Sequence, residues 1–386
     1  MPKLVRWQCI LNSKILLRLD LNVPIKNGII DSDFRIIQSL PTIRNLLDNG
    51  NKIIILSHLG RPSSEKRDPS LSLKIIADRL SNYLDEKINL VDEIDNDLVF
   101  GKSRICMIEN IRYFSGENDN AHDLSRILSH HADFFVFDAF GVSHRTEAST
   151  YGLMDFLDYA PGPLIISEIE NTDKILSEPK GPLCTIISGA KISTKLPLIK
   201  TFTTISDYVI LGGGILNTYL YLNNYEVGNS LCEKDINNDY IGVFNGVNKD
   251  KIIIPRDVVC SSGPSIDNYQ TKDISMVQSS DKILDIGVES IKKYTQIIND
   301  CSTVFWNGPL GFVEKHPYDA GTKALIRLLA ESKCYSMIGG GDTVSVVEEM
   351  KLTEKISYIS TGGGALLKYI EGYKMPVLEK LGLRKP

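Results

Sequence analysis

Residues 15–22 read Ile15-Leu16-Leu17-Arg18-Leu19-Asp20-Leu21-Asn22, an apolar run that gives way to a polar loop ahead of an amphipathic segment, Ile36–Asp48. A short run that is nearly all apolar, rather than alternating, suits a strand covered on both faces by helices. The same phrase recurs down the chain. Candidate strands are Ile15–Leu19, Lys52–Leu56, Arg104–Ile108 and Phe134–Phe137, then Leu183–Ile187, Tyr208–Leu211, Lys251–Ile254, Thr303–Trp306 and Tyr335–Ile338. Helical patterns lie between them at Leu73–Leu84, Ile286–Ile298 and Ala320–Leu329. Strand alternating with helix means parallel βαβ units, which predicts an α/β fold of doubly wound parallel sheets.

The chain has 386 residues, enough for two domains at about 150 residues each. The expected boundary is Pro161–Pro182, which opens with P-G-P, closes with E-P-K-G-P and encloses a segment of helical spacing, Leu164–Ser177. That gives a first domain over 1–162, a joining helix over 163–180 and a second domain over 181–372, with a cleft between the domains. Composition separates the same halves. Eleven of the 14 arginines fall in residues 1–150, and 21 of the 29 glycines fall after residue 180. Arginine binds anions with its side-chain fork, whereas glycine turns at helix starts bind them with backbone N–H groups. The halves therefore read as two anion sites, one for a compact acid or phosphate ester and one for a nucleotide.

Other classes are excluded. A net charge of −5 lacks the bulk attraction to phosphate backbones or anionic lipid on which nucleic-acid and membrane-surface proteins depend. No apolar run approaches the roughly 20 residues that span a bilayer, and the N-terminus shows no secretory apolar region. Seven cysteines, scattered and without C-x-x-C, fit neither a disulfide scaffold nor a zinc site. The expectation is a soluble cytoplasmic protein that acts on small molecules.

In open α/β sheets, ligands sit beyond the carboxyl ends of the strands. Those positions hold Asp20-Leu21-Asn22 with Arg35 at the next helix, then Ser57-His58-Leu59-Gly60-Arg61, Glu109-Asn110-Ile111-Arg112 and Asp138 through Arg145. Each of four successive strand ends delivers an arginine to one rim. Any one of them alone reads equally as a solvated surface group. The second half offers Gly212-Gly213-Gly214, Gly339-Gly340-Gly341-Asp342-Thr343 and Gly362-Gly363-Gly364, each between an apolar run and a helical pattern. Asp342 suits Mg²⁺ on a nucleotide, or a plain helix cap. Lys191 and Lys195 follow a strand and a small-residue turn, where they can neutralise a phosphoryl group in flight or simply mark an exposed helix face. No G-x-x-x-x-G-K-[ST], H-R-D or D-F-G is present. The chemistry that remains is phosphoryl transfer between positioned substrates.

Eight motifs, in order, resemble the phosphoglycerate kinase family: L-R-L-D-L-N-V-P (17–24), S-H-L-G-R-P (57–62), E-N-I-R (109–112), D-A-F-G-x-x-H-R (138–145), G-A-K-x-x-x-K (189–195), W-N-G-P-x-G (306–311), G-G-G-D-T (339–343) and S-T-G-G-G-A (360–365). The resemblance implies two Rossmann-like domains in a monomer, and reversible transfer between 1,3-bisphosphoglycerate with Mg-ADP and 3-phosphoglycerate with Mg-ATP. It implies that Asp20, Asn22, Arg35, His58, Leu59, Gly60, Arg61, Arg112 and Arg145 hold the phosphoglycerate. Lys195 then contacts nucleotide phosphate, and Lys191 steadies the transferred group with Arg35. Gly212, Gly213, Gly214, Asn307, Gly311 and Glu314 surround base and ribose, and Gly340, Gly341, Asp342 and Thr343 the phosphates, with Asp342 on Mg²⁺. It also implies hinge closure near Ser360-Thr361-Gly362 and a tail, 373–386, that returns to the first domain. Ser188 stands where the family usually has Gly, Thr194 where Asp is common, and Phe312-Val313 reverses the usual order. Phe114 and Glu147 stand where His is frequent. The rival readings are an idle, scaffold-like relative, free to lose some of these charged groups, and an amino-acid or carbamate kinase, which would not show four strand-end arginines.

Overall fold

The computed structural model describes residues 2–62, 67–94, 100, 103–177, 179–235, 249–262 and 266–384. The chain divides into two units, Met1–Glu170 with Gly364–Pro386, and Asn171–Gly363.

The first unit contains β1 (Lys14–Leu19), a short hairpin of β2 (Ile25–Lys26) and β3 (Ile29–Ile30), β4 (Lys52–Leu56), β5 (Ile88–Val91), β6 (Ile105–Ile108), β7 (Phe134–Asp138) and β8 (Asp158–Pro161). Six of them form one parallel sheet in the order β5-β6-β4-β1-β7-β8, so the direction of winding reverses between β1 and β7. Helices α1 (Phe34–Asp48), α2 (Lys74–Leu84) and α3 (His122–Ser129) belong to this unit. Ile15, Leu17 and Leu19 share one core cluster with Ile36, Leu40, Ile43 and Leu46 of α1 and Ile76 and Leu80 of α2. Side chains alternate along a strand, so Leu16 and Arg18 face the other way. A slip of one residue would drive Arg18 into that apolar cluster. It would also remove three aliphatic side chains worth about 1.5–3 kcal/mol each, which pins the register.

The helix expected over Leu164–Ser177 is α4 (Pro163–Leu176), and the division between the units falls within it. The second unit contains β9 (Leu183–Gly189), β10 (Tyr208–Gly212), β11 (Ile252–Ile253), β12 (Asp257–Ser262), β13 (Tyr269–Asp273), β14 (Asp281–Ile286), β15 (Thr303–Asn307), β16 (Tyr335–Gly339) and β17 (Tyr358–Ile359). Its main sheet is parallel in the order β11-β10-β9-β15-β16-β17 and reverses between β9 and β15, while β13-β12-β14 form a separate antiparallel sheet. Helices α5 (Leu196–Ile205) and α6 (Gly213–Leu222) follow β9 and β10.

The helix expected at Ile286–Ile298 is corrected: Ile286 closes β14 against β12, and the helix begins at Val288. The Asp257 carboxylate accepts the N–H groups of Glu289 and Ser290 and so fixes that start. The antiparallel sheet carries no apolar run in β13, Y-Q-T-K-D, which is why sequence patterning missed it. Among the described residues, no helix is long and apolar enough to cross a membrane.

Candidate active site

In a parallel sheet every carboxyl end opens on one edge, and ligands collect where the winding reverses. In the first unit, Arg35 is the second residue of α1, which begins two residues before the expected Ile36. Arg35 pairs with Asp20 at 3.0 Å and donates to the Asn22 carbonyl at 3.0 Å. Asn22 Oδ1 accepts the Gly60 N–H at 2.9 Å, and the Gly60 carbonyl accepts from Arg112 Nη1 at 2.7 Å. Arg112 Nη2 then reaches Glu147 Oε1 at 3.0 Å, an oxygen that Arg145 Nη1 also meets at 3.3 Å. Asp20, Asn22, Arg35, Gly60, Arg112 and Arg145 are thus joined by one chain of polar contacts. His58 pairs with Arg18, whose Nη2 lies 3.2 Å from His58 Nδ1. Gly60 has φ +62°, and a Cβ there would press on Leu71 at 2.7 Å. Leu59 is buried with its carbonyl held by Asn110, and Arg61 is exposed.

Burial first, then the charges of Arg18, Arg112, Arg145 and Arg35, hold His58 well below the usual imidazole range, so its ring is neutral at neutral pH. With Arg18 donating to Nδ1, the ring proton sits on Nε2. His144 is pushed down to about 4 by burial, then by Lys368 and Arg145. Glu117, wholly buried and bonded to the N–H and hydroxyl of Ser149, is pushed up to about 7 by burial, against the pull of Arg18. The Nε atoms of Arg18, Arg112 and Arg145 are buried without a partner. A buried donor left unpaired costs about 1–3 kcal/mol, so three in one unit's rim favour an acceptor-rich anion.

The second unit builds its edge from backbone. Strand register sets Gly212 beside Ser188, and Asn307 beside both Ile187 and Gly339. Gly213, at φ +58°, donates its N–H to the Leu310 carbonyl at 3.0 Å. A Cβ on Gly214 would collide with the Ala190 carbonyl, and one on Gly308 (φ +95°) with the Ser188 carbonyl. Gly213, Gly214, Gly311, Phe312, Glu314 and Asp342 are among the residues that line a cavity of about 250 Å³. Lys195 Nζ donates to Asn307 Oδ1, and Gly340 (φ +94°) abuts the same asparagine. Lys195, Asn307 and Gly340, like Lys191, Gly212, Gly341 and Thr343, are not among the residues lining that cavity, and Lys191 and Gly341 are exposed. Ser188, where the family usually has glycine, donates its hydroxyl to the Pro309 carbonyl and ties the two loops together.

Asp342 is exposed at the start of the helix Gly341–Glu349, and the hydroxyl of the adjacent, buried Thr343 has no partner. Among the described residues no group of three metal-ligating side chains occurs. One exposed carboxylate fits Mg²⁺, which takes oxygen ligands, keeps several waters and arrives on phosphates.

Several residues escaped the sequence reading. Arg18 did carry a signal, as the one charge inside an apolar run, and Glu147 was noted only as a departure from the family. Glu233 accepts the Ser193 N–H at 2.9 Å and its hydroxyl at 2.7 Å, clasping the loop that holds Lys191 and Lys195. Asp285, in the cavity wall, is pushed up to about 7 by burial, against the pull of the Gly321 and Ile286 N–H groups. Glu233 lies 40 residues from Ser193 and Asp285 lies 36 residues from Gly321, so no local pattern marks either acid.

A family model described as phosphoglycerate kinase matches residues 8–373. The chain is 40% identical over 373 residues to the phosphoglycerate kinase of Legionella pneumophila strain Lens, covering 95% of this chain and 93% of that one. The protein from strain Paris matches to the same extent. Among solved structures, phosphoglycerate kinase from Coxiella burnetii superposes with a TM-score of 0.83 at 36% identity, covering 97% of both chains. The enzyme from Pyrococcus horikoshii OT3 gives 0.83 at 26% identity, covering 99% of both. Likeness of sequence and of fold runs almost from end to end, through both units and every motif quoted, and the chain therefore belongs to the phosphoglycerate kinase family.

Proposed function

We infer that this enzyme transfers a phosphoryl group reversibly between 1,3-bisphosphoglycerate with Mg-ADP and 3-phosphoglycerate with Mg-ATP. The observation that carries the reading is the contact chain from Arg35 to Arg145, with its unpartnered guanidinium N–H groups at the carboxyl edge of the first sheet. In this reading Arg35, Arg61, Arg112 and Arg145 take the anionic groups of the phosphoglycerate, with Asp20, Asn22, neutral His58 and the Leu59-Gly60 backbone completing its contacts. The nucleotide lies along Gly212–Gly214, Asn307, Gly311 and Glu314, with its phosphates toward Lys195 and Gly340–Thr343. Asp342 would hold Mg²⁺, which when bound neutralises phosphate charge.

Transfer from an acyl phosphate to ADP needs no general base, because the attacking oxygen is already ionised. Catalysis then consists of positioning and charge stabilisation, supplied by Arg35, Lys191 and Lys195. The acid's anchors and the nucleotide's anchors belong to different units. Reacting atoms must come to about 3–3.5 Å, so the reaction requires closure that neither ligand drives alone, with Ser360-Thr361-Gly362 absorbing backbone change. We read the working form as a cytoplasmic monomer.

A coupled assay with 3-phosphoglycerate, Mg-ATP and a dehydrogenase readout tests the activity, and absence of turnover would end the reading. Small-angle scattering tests closure: compaction is expected only with both ligands, and an unchanged radius of gyration would remove the hinge.

A further inference from the structure

Every other side chain that the contact chain offers to an anion is a cation or a neutral donor, or is Asp20 beside its own arginine. Glu147 is different. It is 3% exposed, one of its oxygens is shared by Arg112 and Arg145, and the other, Oε2, has no partner. A buried ion pair kept for stability is expected to use both carboxylate oxygens, since each bare lone pair adds to an already large desolvation cost. One oxygen held by two guanidiniums, each with a buried Nε left over, is instead what remains when a cluster is arranged for more negative charge than it contains.

We propose that Glu147 is a built-in counter-ion that offsets two of the substrate-binding arginines and so sets the affinity for the acid substrate, keeping it weaker than the arginines alone would allow. The proposal rests on the placement of the phosphoglycerate at this edge. Within the free chain Glu147 balances Arg112, which is buried and would otherwise lack a counter-charge. Once a multiply charged acid arrives, the same carboxylate repels it. Glu147 is therefore a specificity-determining residue whose neutralisation produces a gain in binding, an outcome that loss of a merely structural contact does not give. The backbone of the turn is secured separately: the Glu147 N–H donates to Thr150 Oγ1 at 3.0 Å, and its carbonyl accepts from Thr150 and Tyr151.

The test is calorimetric titration of 3-phosphoglycerate, without nucleotide, into the full chain at pH 8 and low salt. At that pH His58 and His144 are neutral and Glu117 is largely ionised, so the substitution itself is the change of charge that the titration reads. Glu147→Gln should tighten binding about 3–10-fold, a gain that shrinks as salt is added. Glu147→His, neutral at pH 8, should do the same and stands in if glutamine does not fold. Both variants should melt lower than the parent when free, because Arg112 loses its partner, yet gain more in Tm from the acid. Glu147→Asp keeps the charge and should not tighten binding. Unchanged or weaker binding in the folded neutral variants, or equal tightening in the aspartate variant, would overturn the proposal. Arg112→Ala separates the two levels: if it binds the acid as the parent does, the placement of the substrate fails and the proposal fails with it.

Discussion

The carboxyl edges of the two parallel sheets solve one problem with different materials. In the first unit the edge is made of charged side chains: Arg35, Arg112 and Arg145 are oriented by Asp20, Asn22, the Gly60 carbonyl and Glu147, around a His58 kept neutral. In the second it is made of backbone, brought close by Gly213, Gly214, Gly308 and Gly340. The difference teaches where each edge is fragile. A side-chain edge has to balance its own charges, so it carries shifted ionisations and unpaired donors. A backbone edge has few charges to balance but tolerates no added Cβ. Removing a partly exposed arginine should therefore injure the first unit's function with little effect on its fold, and adding a methyl group where a glycine closes on backbone should injure the second unit's fold and function together.

The largest effect expected is at Arg35. It is partly exposed and contributes little to folding, yet in the proposed reading it meets charge that develops in the transition state. Arg35→Ala should lower kcat by about 10²–10³, equal to about 3–4 kcal/mol, while Tm moves little. Steady-state kinetics beside thermal melts would break the comparison if both changed together. Next comes Gly308→Ala. A positive φ and a collision with the Ser188 carbonyl predict a loss of about 2–4 kcal/mol, with nucleotide binding weakened alongside it. Gly341→Ala is its control: φ there is ordinary and nothing lies within 4 Å, so denaturant unfolding should show a change within about 0.5 kcal/mol.

Glu117 sharpens the comparison through pH. Burial raises its pKa from 4.5 to about 7, so between those values the folded chain holds a proton that the unfolded chain has released. Stability from this group is present at low pH and is lost as pH rises to about 7, by an amount on the order of 2–3 kcal/mol. Urea unfolding from pH 5 to 8 should show Glu117→Gln gaining on the parent across that window and level above it. A constant difference would mean that the carboxylate stays ionised throughout. The smallest effect concerns the metal. Asp342→Asn should weaken Mg-nucleotide binding by about tenfold, or 1.4 kcal/mol, and leave 3-phosphoglycerate affinity unchanged. Equal weakening of both ligands in calorimetry would point to a folding defect instead.

Much of this was legible in the chain. Apolar runs of strand length separated by 3.6-period segments dictate parallel βαβ units, because only strands covered on both faces lack alternation. The loop after each run then marks the carboxyl edge of the sheet, which is where the arginine loops and two of the glycine loops fall. In the antiparallel sheet the exposed strand Tyr269–Asp273 escaped, since it carries no hydrophobic signature.

By itself, then, the sequence determined the fold class, an arginine-bearing and a glycine-bearing sheet edge, and the family, all properties that local patterns and ordered motifs encode. Only the tertiary structure decided which charges meet. Arg18 sits against His58, Glu147 against Arg112 and Arg145, and Glu233 against Ser193, across separations of 40, 35, 2 and 40 residues. Three of these four pairings join residues far apart in the chain, and even the local one gains its meaning from the distant Arg112. The energy of a charge depends on its burial and its nearest partner, and both are properties of the packed molecule rather than of any stretch of chain.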